Sequence, residues 1–129
     1  MIALDASVLI AQFDRDDAHH VRAVESFEGW VGRRFVVSTV TLAEVLVRHV
    51  QVGSVDAARE TLRRLFVDEQ PIAPGSAGRL ASLRVTTGLK LPDCCVLLAA
   101  QDAGANAIAT FDDRLADAAR GLGLGVPSA

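Results

Sequence analysis

Four acidic residues sit where a chain could gather oxygen ligands: Asp5 ends "MIALD", Glu44 lies in "TLAEVL", Asp93 opens "PDCCVLLAA", and Asp112 follows "AIATF". Asp93 poses the sharpest question. The seven residues after it, 94–100, are apolar without a break, so the helix they form is expected to be buried on every side with a carboxylate at its head. Val96, Leu97 and Ala100 share its helical face and aim it toward the core side, where an unpaired carboxylate costs several kcal/mol. No lysine or arginine is an obvious local partner, and a metal ion would serve. Four crowded carboxylates raise one another's pKa, and a divalent cation removes that penalty. An all-oxygen set without imidazole or thiolate points to Mg²⁺ or Mn²⁺ rather than zinc. One water of such an ion, deprotonated with help from the metal and a carboxylate, can attack a phosphodiester in line. Asp5, Asp93 and Asp112 are the candidate direct or water-mediated ligands, and Glu44 is the candidate to orient or activate the water.

The elements that must position these acids follow from the pattern of apolar residues. A short apolar run over 2–4 predicts an interior strand ending at Asp5, and "DASVLIAQF" a turn into a brief helix that Ser7 is able to cap. Apolar Val21, Val24 and Phe27 recur at three-residue steps in a helix near 18–30. A β-branched strand over 35–37 leads through Ser38 or Thr39 into a helix that runs to about 52, where Gly53 stops it. A helix over about 55–66, a short strand around 71–73 and a helix over about 76–87 follow. The buried helix then ends at Gly104, a strand spans 107–110, a helix lies near 114–120, and "LGLGVPS" forms a short closing strand. Strands alternating with helices at these lengths predict an α/β fold: a three-layer α/β/α sandwich on a short, mainly parallel sheet, built as one domain over 1–129. In such sheets sites form beyond the carboxyl ends of the strands, near the point where strand order reverses. Asp5 and Asp112 should emerge at that rim.

Each acid also has an ordinary explanation. Asp5 can cap the first helix, Asp93 can complement a helix dipole, Glu44 can pair with Arg48 four residues on, and Asp112 and Asp113 can start a turn. Composition removes other classes. Half of the 129 residues are hydrophobic, which argues against disorder. The longest apolar run is far short of a bilayer span, and no basic segment precedes the apolar start, so the pattern predicts a soluble, cytoplasmic protein without a membrane partner. Cys94 and Cys95 adjoin inside one helix and read as small hydrophobes. A formal net charge of −3 supplies no basic field, so a nucleic-acid partner must be held by a local patch or a metal. His19 and His20, beside Asp16 and Asp17, read as a solvated helix start. Arg33, Arg34, Arg63 and Arg64 form local pairs able to meet phosphates or simply solvent.

Taken together and in order, "MIALDAS", "TLAEVL", "LKLPDCCVLLAA" and "TFDDRLADAA" resemble the acidic motifs of the PIN domain, and more narrowly those of VapC-type toxins of bacterial toxin-antitoxin pairs. "DDAHHVRA" resembles the segment such toxins carry after their first helix. The resemblance covers essentially the full length. It implies a Mg²⁺- or Mn²⁺-dependent endoribonuclease acting as the toxin of a type II pair, cutting single-stranded or looped RNA to leave a 5′-phosphate. By motif it places the metal-binding acids on Asp5, Glu44, Asp93 and Asp112, with Ser7 and Thr110 as supporting hydroxyls. Asp112 is preferred to Asp113 because it stands second after Thr110. The implied partners are an RNA substrate, a cognate VapB-type antitoxin that blocks the pocket, and a second copy in a homodimer, giving a heterotetramer or larger with antitoxin. The rival readings are a PIN nuclease without an antitoxin and a PIN-fold binding module that cleaves nothing. A haloacid-dehalogenase-type phosphatase needs a second aspartate where Ser7 stands, and a receiver domain needs an acidic pair that the chain lacks.

Overall fold

Three-residue runs of small and β-branched apolar residues make the interior strands, because a parallel strand is covered on both faces and needs no polar alternation. In a computed structural model describing residues 1–127, these are β1 (Ile2–Leu4), β2 (Phe35–Ser38), β3 (Val67–Gln70) and β4 (Ala107–Ala109), joined all-parallel in the order β3-β2-β1-β4. Ile2, Leu4, Phe35, Val37, Ala107 and Ala109 face one core; Ala3, Val36 and Ile108 face the other. The first core is closed by α1 (Ala6–Phe13), α2 (His20–Gly29), α3 (Thr39–Val52) and α4 (Val55–Arg64), the second by α5 (Ala77–Thr87), α6 (Leu91–Ala103) and α7 (Asp113–Gly121). This is the predicted α/β/α sandwich. Every residue over 94–100 is buried, as the unstriped apolar run requires, and both cysteines are free.

β1 pairs with β2 on one side and with β4 on the other, with Leu4 opposite Ala109. The chain winds outward from β1 through β2 to β3, then returns to add β4 at the opposite edge. Strand order therefore reverses between β1 and β4, and the carboxyl ends of those two strands open the crevice in which sites form.

Three expectations change. The helix predicted to reach residue 66 ends at Arg64, and Phe66 takes a left-handed backbone (φ 61°) that turns the chain into the sheet. The strand predicted around 71–73 lies instead at Val67–Gln70. That edge strand is polar, with Arg34 pairing to Asp68 at 3.0 Å and Thr39 donating to Glu69 at 2.6 Å, so it lacks an apolar signature; Pro71, without an N–H, ends it. The closing strand shrinks to one parallel bridge, Ala107 to Gly125, while Ser128 lies outside the described residues. Gly53 and Gly104 stop α3 and α6 in the left-handed conformation, as placed from sequence.

Candidate functional site

Asp5 follows β1 and occupies the N-cap position of α1, yet its side chain makes no capping bond. It is 8 % exposed, and its Oδ2 accepts two hydroxyl hydrogen bonds, from Ser7 Oγ (2.7 Å) and Thr110 Oγ1 (2.8 Å). Those hydroxyls accept in turn: Ser7 Oγ from the Phe111 amide (3.1 Å), Thr110 Oγ1 from the Asp112 amide (3.0 Å). A relay of four bonds thus ties the end of β1 to the loop after β4, with every donor polarising the next. Oδ1 accepts no bond among the described residues and remains available. Ser7 does not cap α1; its hydroxyl is spent on this relay.

The other acids arrive on separate helices. Ser38 caps α3 by accepting from the Thr41 amide at 3.0 Å, which fixes the start of the helix that carries Glu44. Asp93 is half-buried in the first turn of α6. Asp112 caps α7, its Oδ1 accepting from the amides of Arg114 (2.9 Å) and Leu115 (3.3 Å). Its ordinary explanation therefore holds, alongside any further one. The Glu44–Arg48 pair does not form among the described residues.

Two of the four acids respond to the charges of the others. Loss of solvent, then the charges of Asp5 and Asp93, push the Glu44 carboxyl above its usual range. Loss of solvent, then Asp5 and Asp112, do the same to Asp93, against a smaller opposite pull from Lys90 and Arg114. Asp113 is not among the groups acting on Asp93. Lys90 and Arg114 correct the expectation that no cation is near. Lys90 precedes α6 by one residue, and Arg114 reaches back from α7, its Nη2 donating to Gly88 O at 3.5 Å.

All-carboxylate oxygen donors, one of them pre-aimed by two hydroxyls, fit a hard divalent cation. Among the described residues, no three His, Cys, Asp or Glu side chains converge closely enough to hold an ion in this conformation. Burial raises the Glu44 and Asp93 carboxyls most, and the like charges beside them add a repulsion that a cation would relieve. Two surface cavities flank the acids: one of about 300 Å³ lined by Ile10, Phe13, Glu44 and Arg48, and one of about 440 Å³ lined by Thr86, Thr87, Leu89 and Arg114.

The PIN domain profile matches residues 2–121. The chain belongs to the PIN domain family. Three solved structures share this PIN fold. VapC20 of Mycobacterium tuberculosis, described as a sarcin-ricin loop cleaving toxin, aligns at TM-score 0.73 with 17 % identity over 92 % of this chain and 95 % of that one. A toxin-antitoxin complex from Klebsiella pneumoniae aligns at TM-score 0.72 with 25 % identity over 87 % of each chain. FitAB bound to an IR36 DNA fragment aligns at TM-score 0.74 with 18 % identity, covering 98 % and 94 %. No curated protein matches the chain. The resemblance read from the four acidic motifs is thus borne out at the level of family and fold. No helix among the described residues is long and apolar enough to cross a membrane.

Proposed function

We propose that this PIN domain is a divalent-metal-dependent endoribonuclease and the toxin of a type II toxin-antitoxin pair. What supports the activity is that Asp5 and Asp112 follow β1 and β4, where strand order reverses, and that the charges of Asp5 and Asp112 reach Asp93 while those of Asp5 and Asp93 reach Glu44. Asp5, Asp93 and Asp112 would hold a Mg²⁺ or Mn²⁺ ion, with Glu44 beside it. When bound, the ion supplies neutralising charge and lowers the pKa of a water at neutral pH. Glu44, the acid on α3, takes the proton from the attacking water. Ser7 and Thr110 keep Asp5 oriented while charge moves through the site. Lys90 and Arg114 bring positive charge to the phosphate. The water oxygen bonds to phosphorus, the bond to the 3′-oxygen breaks, and a 5′-phosphate end results.

The family and the toxin-antitoxin complex among its structural neighbours support an antitoxin as partner. A basic side chain entering the acid cluster is the chemistry by which such a partner would silence it. A homodimer, paired with antitoxin into a heterotetramer or larger, completes the reading.

The decisive test incubates end-labelled RNA with the purified chain and Mg²⁺ or Mn²⁺, against EDTA, Asp5→Asn and Asp93→Asn. Cleavage that needs both the ion and the two acids is expected. RNA bound tightly but never cut, with metal present, would instead make the chain a binding module.

A further inference from the structure

Phe111 lies between the two residues of the loop that serve Asp5, and its amide is the first donor of the relay, two hydrogen bonds from the Asp5 carboxylate. Its ring is half-buried against the first core and carries two exposed side chains from another part of the chain. The His19 imidazole stacks on it, centroids 4.8 Å apart and planes 27° from parallel, and the Arg22 guanidinium carbon stands 4.9 Å from its centroid. Among the described residues neither side chain has another hydrogen-bond or ion-pair partner. Arg22 has no carboxylate partner among the described residues. Two nearby acids are committed to their own turns: Asp17 Oδ1 accepts the His19 amide (2.8 Å) and Asp14 Oδ1 the Asp16 amide (2.9 Å).

We propose that His19 and Arg22, mounted on Phe111, seat the nucleotide next to the scissile phosphate, His19 stacking on its base and Arg22 meeting its backbone. The proposal rests on the endoribonuclease reading and names the substrate contact within it. Two features favour a nucleotide over another anion. A planar ring already held parallel to an aromatic extends a stack at little entropic cost, and every nucleobase offers a π-face. An arginine that keeps its charge free beside that stack adds the phosphate contact. Such a seat takes an unstacked base, so the strand it suits is single-stranded or looped RNA. With Lys90 and Arg114 acting on Asp93, cations then flank the acids on the α2 and α7 sides of a molecule whose overall charge is −3. A strand crossing the acids would find positive charge before and after them. His19 and Arg22 are positioning residues, and they touch no reacting atom.

The test is steady-state cleavage of a short fluorescent single-stranded RNA by the full chain with Mn²⁺, after mapping the cut made by the wild type. His19→Ala and Arg22→Gln are each expected to raise KM about tenfold, with kcat within about twofold, in line with the weight of one stacked base. His19→Phe keeps the stack and restores KM. Arg22→Gln also lowers the salt dependence of binding by about one ion. An RNA abasic beside the cut should bring the wild type down to the level of His19→Ala. Unchanged KM in both variants of a chain that does cleave RNA overturns this seat and leaves the nuclease reading standing. A fall in kcat together with a lowered melting temperature overturns it in favour of a structural clamp. Neither cleavage nor binding of RNA by the wild type overturns both.

Discussion

Removing a hydroxyl from the Asp5 relay should destabilise the protein more than removing the charge that the relay serves. Thr110→Val deletes the 2.8 Å bond to Asp5 Oδ2, and a hydrogen bond to a charged group is worth ~1.5–3 kcal/mol. The Asp112 amide that Thr110 also satisfied is exposed and turns to water, which adds little. Ser7→Ala deletes the 2.7 Å bond and also leaves the part-buried Phe111 amide without its acceptor, so its loss is larger, ~2–4 kcal/mol. Asp5→Asn keeps a carbonyl to accept the hydroxyls, but each bond weakens from charge-assisted to neutral, about 1 kcal/mol apiece, and the ended repulsion with Glu44 and Asp93 returns part of that loss. Urea denaturation in EDTA at neutral pH measures all three. The slope should stay constant while the midpoint falls for Thr110→Val and further for Ser7→Ala, and falls least for Asp5→Asn. A Thr110→Val loss below ~0.5 kcal/mol, or an Asp5→Asn loss equal to it, would refute the claim that these hydroxyls hold a repelled carboxylate in place.

Acid pH should favour the metal-free chain at this site. The folded pKa values of Glu44 and Asp93 are raised above 4.5 and 3.8, so the native state binds their protons more tightly than the unfolded chain. The stability they contribute is full below those ordinary values and is lost as pH rises through the raised ones. Glu60 runs the other way: held at about 2 by Arg63 and Arg64, it contributes above 4.5 and is lost as pH falls toward 2. Urea midpoints from pH 3 to 7 in EDTA should therefore show a decline above about pH 4 that Glu44→Gln and Asp93→Asn flatten; an unaltered profile in both would contradict the shared field. A divalent ion at ~100 times its Kd should raise unfolding free energy by ~2.7 kcal/mol, and calorimetric titration of Asp93→Asn should show the affinity lost; undiminished binding would remove Asp93 from the ligand set. Phe66, left-handed and 61 % exposed, should gain ~1 kcal/mol on replacement by glycine, read by thermal unfolding, and a loss would mean its ring carries packing that outweighs backbone strain.

What could be read in advance divides along physical lines. The interior strands and α6 are set by burial on all sides, which leaves an unbroken apolar run, so their places and the strand-order argument for Asp5 and Asp112 followed from composition alone. β3 escaped because an edge strand need not be apolar: its pairing partners are Phe35–Ser38, and its stability comes from a ladder and from polar contacts such as Arg34 with Asp68. Ser7 was legible as a hydroxyl near a helix start, but local rules offered it a cap, and only a loop 104 residues away shows that it serves Asp5 and Phe111 instead. Lys90 and Arg114 were invisible for the same reason, since their effect on Asp93 depends on how α6 and α7 start beside each other. His19 is the exposed helix start that its neighbours Asp16 and Asp17 suggest, and its stack on Phe111, 92 residues on, has no sign in the local sequence.

Those misses share a cause that bears on how the site works. Each acid is positioned by an element with its own structural reason to exist: Asp112 caps α7, Asp93 heads α6, and Asp5 joins β1 to α1. Convergence therefore costs the fold little in backbone terms, and nearly all of its expense is electrostatic, recorded in the raised carboxyls of Glu44 and Asp93. Two hydroxyls hold Asp5 Oδ2 and two backbone amides hold Asp112 Oδ1, so each of these carboxylates keeps one oxygen without a hydrogen bond among the described residues. Any cation entering between them gains the repulsion that the empty cluster stores, so affinity for an ion and instability without one are two readings of the same charge arrangement. On the proposed reading, a basic side chain of a partner protein would draw on the same repulsion, so a metal and such a partner would compete for the acids.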